Sequence, residues 1–276
     1  MFSPAPAAGD PYRWPLYPSI LAGLLILAAG YLLAVTRWRD RVDDSAPVPR
    51  GRVAAFLGGL VCIAVALQTP IDTLSDGYLF SVHMVQHLLL TLVGPPLLLY
   101  GTPGWLLRPL VRPRPLLVLG RVLTGPLSAF ALFNVVFLAY HVPSVLDPVL
   151  SSELAHAVTH LLFMATAVIT WWPVLSPLPE LPRLPYPGQM LYLFLQTLPA
   201  QILGAILTLA DTSFYFHYQD APRLWELITP TVDQQLGGLI MWVGGGTFYL
   251  GVFVVVFLRW AALNEAGETQ QVPGRA

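Results

Sequence analysis

The chain has 276 residues, 55% of them hydrophobic and 11% charged, with a net charge of −1. Soluble domains carry about a quarter charged residues, so most of this surface faces something other than water, and the near-zero charge points away from a nucleic-acid partner. The single cysteine, Cys62, lies in an apolar run, which excludes an internal disulfide framework and a cysteine zinc motif.

Residues 1–15 form an N-terminal tail of proline, alanine and one arginine, Arg13. They lack the basic start, apolar core and cleavage site of a signal peptide, so the first span is expected to serve as the uncleaved insertion signal. About 20 apolar residues cross a bilayer, and hydropathy gives seven such runs: 16–35, 53–67, 77–99, 126–141, 153–174, 189–210 and 235–258. Tryptophans cluster near the run ends, where amphipathic rings prefer the interface. Gly94-Pro95-Pro96 is expected to kink the third run or end it early. The stretch 176–187 (SPLPELPRLPYP) and both ends read as irregular. The predicted fold is an all-α polytopic membrane protein of about seven helices, with a membrane domain over 16–262 and a C-terminal tail over 263–276.

All 14 basic residues are arginine. With seven spans, twelve of them fall on one side and only Arg13 and Arg223 on the other. The positive-inside rule then places the N-terminus outside and the C-terminus in the cytoplasm.

The six histidines fall in the outer half or beyond it. His83 and His87 open the third span, His141 closes the fourth, and His156 and His160 open the fifth. His217 lies in the outer loop before the seventh, with Asp211 and Asp233 nearby. Each pair is spaced i, i+4, which puts both rings on one helix face about 6 Å apart along the axis. Paired imidazoles at that spacing can grip one metal ion, and two pairs at matched depth supply four nitrogens. His83, His87, His156 and His160 are therefore the candidate metal ligands. Met84, Met164 and Met241 lie close in sequence to these positions; thioether favours Cu(I), and imidazole suits copper and zinc. His141, His217, Asp211, Asp233 and the three methionines are candidate additional ligands or supports. Each also has a plain reading, as a packing residue, an interhelical hydrogen-bond partner or a helix-dipole charge.

Three other functions fit less well. A bis-histidine haem carrier uses one histidine from each of two helices rather than pairs on one helix. A transporter needs polar residues at both depths, and the inner halves offer little beyond Asn134, Gln196 and Gln201. A metal-dependent hydrolase needs a general base, for which Asp233 is the candidate.

The segments His83-Met84-Val85-Gln86-His87, Gly94-Pro95-Pro96-Leu97-Leu98, Trp171-Trp172-Pro173-Val174-Leu175, Asp233-Gln234-Gln235-Leu236-Gly237-Gly238 and Met241-Trp242 occur in this order. Together with His156 and His160 they resemble the CtaG-like cytochrome c oxidase assembly factors over about residues 68–258. The resemblance implies a seven-span protein of the bacterial plasma (inner) membrane that helps mature haem–copper oxidases. It implies copper as cargo, the oxidase catalytic subunit as partner, an extracytoplasmic copper donor, and ligand exchange between proteins rather than enzymatic chemistry.

Overall fold

The computed structural model describes residues 10–41 and 46–271, and among these the regular structure is entirely helical. In chain order the helices are α1 (Pro18–Trp38), α2 (Arg50–Gln68), α3 (Pro70–Gly77), α4 (Phe80–Gly101), α5 (Gly104–Val111), α6 (Arg114–Thr124), α7 (Pro126–Tyr140), α8 (Pro143–Leu150), α9 (Glu153–Leu175), α10 (Tyr186–Thr208), α11 (Phe216–Gln219) and α12. The last comprises Pro230–Leu239, a π turn Ile240–Gly245, and Gly246–Gln271. Helices α1, α2, α4, α9, α10 and α12 are long and apolar enough to cross a membrane, and α6 with α7 makes a seventh crossing when counted as one broken span.

That fourth crossing differs from expectation. Helix α7 has only 15 residues, and it meets α6 at 68°. The break sits at Gly125, whose extended backbone precedes Pro126; the proline has no N–H for the preceding turn and disfavours helix in the residue before it. Arg114 and Arg121, expected in a connection, therefore lie on a helix with no buried residue.

The Gly94-Pro95-Pro96 segment does not stop α4. The helix widens into a π turn at Leu89–Val93 and resumes to Gly101, with the prolines in the first turn of the resumed helix where their missing N–H groups cost little. Trp171 donates its indole N–H to the Thr91 carbonyl at 3.0 Å, within the widened turn. Gly77, expected to open the third span, instead ends the short helix α3. The C-terminal tail also departs from its irregular reading, because α12 continues to Gln271; residues 259–271 contain no proline to stop it. Residues 1–9 of the N-terminal tail, and 272–276 with Arg275, lie outside the described residues. The stretch 176–185 is irregular as read.

The polarity is inverted relative to a water-soluble bundle. Leu25, Ile26, Leu127, Val135, Leu161, Phe194 and Leu250 are exposed, while Gln68, Gln86, Asn134, Gln189, Gln196 and Gln234 are buried. In hydrocarbon every polar group needs an internal partner. Asn134 donates to Gln196 at 2.6 Å, and Gln196 in turn donates to Thr170, which bonds the Tyr192 hydroxyl.

The arginine-bearing connections share one end of the bundle. Arg108 of α5 pairs with Glu180 of the 176–185 segment at 2.9 Å, Arg52 at the start of α2 donates to the Tyr100 carbonyl at the end of α4, and the Tyr31 hydroxyl reaches Gly101. The opposite end holds α3, α8, α11 and all the histidines.

Candidate metal centre

The two histidine pairs are brought together by helices that begin at the same end. Helix α9 starts under a local cap, in which the Ser152 hydroxyl accepts the Ala155 N–H at 3.3 Å. Helix α4 has no such cap of its own. Asp233, from α12, supplies it: its carboxylate accepts the Phe80 N–H at 2.6 Å, the Ser81 N–H at 3.1 Å and the Ser81 hydroxyl at 2.5 Å. Close approach of α12 to its neighbours depends on small residues. A Cβ on Gly237 would lie 2.4 Å from the Phe80 ring, and one on Gly238 within 2.8 Å of the Gly204 carbonyl and the Thr208 N–H.

Helix α3 closes the same end. Thr69 caps it, Pro70 opens it, and Asp72 sits in its first turn. Gln86, between the two α4 histidines, is fully buried. It donates to the Ala66 carbonyl at 3.0 Å and to Asp72 at 2.8 Å, while its carbonyl oxygen lies 3.0 Å from the Ser75 hydroxyl. The other Asp72 oxygen accepts the Tyr17 hydroxyl at 2.9 Å. Burial above all, with Asp76 nearby, pushes the Asp72 carboxyl up to about 7 despite these bonds. Burial and Asp72 likewise push the Tyr17 phenol up.

His83, His87, His156 and His160 are all buried. Ring centroids lie 4.3 Å apart for His83–His87, 4.2 Å for His156–His160, 5.6 Å for His83–His156 and 5.6 Å for His87–His160. One ring nitrogen from each of His83, His87 and His156 lies within 4.8 Å of the other two. His160 stands beside this trio. Nitrogens bound to one ion at about 2 Å stand roughly 3–3.5 Å apart, so the widest pair of the trio needs to close by up to about 1.5 Å.

One nitrogen of each of the four rings has no partner. His83 Nδ1, His87 Nε2, His156 Nε2 and His160 Nε2 are buried without a hydrogen bond. An unpaired buried polar atom costs about 1–3 kcal/mol, and here four lie on neighbouring rings, three of them in the close trio. The opposite nitrogens of two rings are engaged: the His83 Nε2 meets the Tyr140 hydroxyl at 3.2 Å, and the His156 Nδ1 meets Asp76 Oδ1 at 3.4 Å. A proton held on the outer nitrogen leaves the inner lone pair free for an ion. The donor set therefore suits a small cation that accepts imidazole.

The other sequence candidates sit around this core. His141 donates from Nδ1 to the Phe137 carbonyl at 2.8 Å, leaving a buried Nε2 unpartnered. His217, half-buried, donates from Nε2 to the Asp76 carbonyl at 2.6 Å, so it holds α3. Asp211 is exposed. Asp233 is engaged as the α4 cap. Met84 and Met241 pack in one buried cluster with Phe80, Phe163 and Leu207. Met164 packs against Ile63, Ala66 and Leu90. The sequence reading missed Asp72, Asp76 and Tyr140. The first two had a signal, since Thr69-Pro70-Ile71-Asp72 has the form of a helix start that places Asp72 and Asp76 at i, i+4.

The signature of the family described as cytochrome c oxidase caa3 assembly factor (Caa3_CtaG) matches residues 29–262. The chain belongs to this family. The Caa3_CtaG match covers every span except the start of α1 and the end of α12, and it includes both histidine pairs. Uncharacterized proteins of Mycobacterium bovis and Mycobacterium tuberculosis are each 29% identical to it over 268 residues, and one of Mycobacterium leprae is 27% identical over 265. These alignments cover 90% of this chain and 39% of each relative, so the chain spans about two fifths of the length of the curated relatives it matches. No solved structure matches.

Proposed function

We propose that this Caa3_CtaG member binds copper, as Cu(I), at the histidine cluster and passes it to the buried copper site of a haem–copper oxidase. The observation that carries this is the close trio of buried imidazoles from His83, His87 and His156, each with a ring nitrogen left without a hydrogen bond, with His160 beside them. Imidazole donors suit copper and also admit Zn(II); copper is favoured here by the family's role in oxidase assembly. The protein works as an assembly factor by ligand exchange and catalyses no covalent step. Its partners are the oxidase catalytic subunit and a copper donor on the outer side. The arginine distribution supports a bacterial inner-membrane protein with the histidine end facing outward. Copper is released to a partner site at similar depth in the bilayer, which spares a charged ion a passage through hydrocarbon.

The test uses the full chain in nanodiscs, titrated anaerobically with Cu(I) against a competing chelator. A single tightly held ion per chain is expected, lost in the His83→Ala/His87→Ala/His156→Ala variant. Equal uptake by that variant and the wild type overturns metal binding at this cluster. Normal copper content in the oxidase of a deletion strain overturns the delivery role.

A further inference from the structure

We propose that Asp76 is the admission residue of the histidine cluster: it orients the His156 ring and meets the incoming cation at the solvent boundary. This rests on the copper-handling function proposed above.

The cluster is walled by aromatic rings on most sides. His83 stacks on Tyr140 and Phe80 and meets Tyr218 edge-on, and His87 packs against Tyr140 and Phe163. All four of these aromatic residues are buried. Among the described residues, Asp76 is the one carboxylate within ion-pair distance of a histidine ring nitrogen. Its side chain is 39% exposed, against 7% for that of His156. It therefore joins solvent to the cluster at one place.

The contact also has the right polarity. Asp76 Oδ1 lies 3.4 Å from Nδ1 of His156, longer than a formed hydrogen bond, and also accepts the Ser75 hydroxyl at 3.1 Å; a carboxylate on that side favours the tautomer protonated at Nδ1, which keeps the lone pair of the buried Nε2. The second oxygen, Oδ2, has no hydrogen bond among the described residues and is free to meet an ion. The backbone beneath is fixed: the Asp76 carbonyl accepts from His217 and the Ser75 carbonyl from the Tyr218 hydroxyl at 2.7 Å. A fixed backbone with a half-exposed side chain lets the carboxylate alternate between water and His156. Asp76 and Glu153 both bear on the Tyr17 phenol, so negative charge lies at this mouth and draws cations to it.

The experiment compares wild type, Asp76→Asn and Asp76→Glu as full chains in nanodiscs, with Cu(I) and then Zn(II) as probes. For Asp76→Asn we expect the same stoichiometry, an affinity about 10–100-fold weaker, slower metal uptake, and an uptake rate that no longer falls with salt. Asp76→Glu restores most of the rate. Nitrogen NMR of labelled histidine in metal-free protein is expected to show His156 protonated at Nδ1 in the wild type and a tautomer mixture in Asp76→Asn. If Asp76→Asn does not accumulate, Asp76→Ser reads the same quantities. An uptake rate, salt dependence and tautomer all equal to wild type overturn the proposal. A wild type that binds neither metal overturns the function proposed above, and the tautomer measurement still reports on Asp76 separately.

Discussion

Asp233 and Phe80 are 153 positions apart in the chain, yet the carboxylate of the first accepts the backbone N–H of the second at 2.6 Å. That contact starts the helix bearing His83 and His87, so α12 sets where the first histidine pair lies. Asp233→Ala leaves two buried N–H groups and the Ser81 hydroxyl unsatisfied. A loss of about 2–4 kcal/mol is expected, read as a lower thermal unfolding midpoint in detergent. Asp233→Asn keeps one acceptor and loses less. The folded fraction of either variant should retain its metal stoichiometry, since the carboxylate is spent on the cap.

The trio and the fourth histidine should separate in titration. His83→Ala, His87→Ala and His156→Ala each remove a nitrogen from the close group and should abolish tight Cu(I) binding. His160→Ala should weaken binding by less than any of these, because its ring stands beside the trio. Equal effects from all four would instead indicate a four-nitrogen site.

Close packing of α10 on α12 predicts a contrast between two glycines. Gly238→Ala places a Cβ within 2.8 Å of backbone atoms of Gly204 and Thr208, which cannot move aside as a side chain can. A destabilisation of about 1–3 kcal/mol is expected. Gly251→Ala, whose Cβ meets nothing within 4 Å, should leave the unfolding temperature the same or slightly higher, by up to about 1 kcal/mol of helix preference.

Asp72 gives a pH dependence of defined sign. Its carboxyl rises from 3.8 to about 7 in the folded protein, by burial first and by Asp76 second. Between those values the native state holds a proton that the unfolded chain has lost. This group's contribution to stability is therefore full below pH 4, falls as pH rises to about 7, and is constant above. Asp72→Asn should flatten that part of the profile, so the variant gains relative to wild type from pH 4 to 7. Thermal unfolding across pH 4–8 checks it; parallel profiles for the two proteins would contradict the assignment.

The sequence by itself determined the membrane class, six of the crossings, and the gathering of histidines at one end, because composition and hydropathy report burial in lipid directly and i, i+4 spacing is a property of the helix alone. It also carried the family, through short motifs in order. It did not show the break at Gly125, since a run of apolar residues reads the same whether the helix is straight or bent. It did not reveal Asp76 or Tyr140 as partners of His156 and His83, and it left open whether Asp233 is a ligand or a cap. Those roles depend on contacts between helices distant in the chain: α3 on α9, α7 on α4, α12 on α4. Only their packing decided that the two histidine pairs face one another, because spacing along a helix fixes which rings share a face and says nothing of what that face meets.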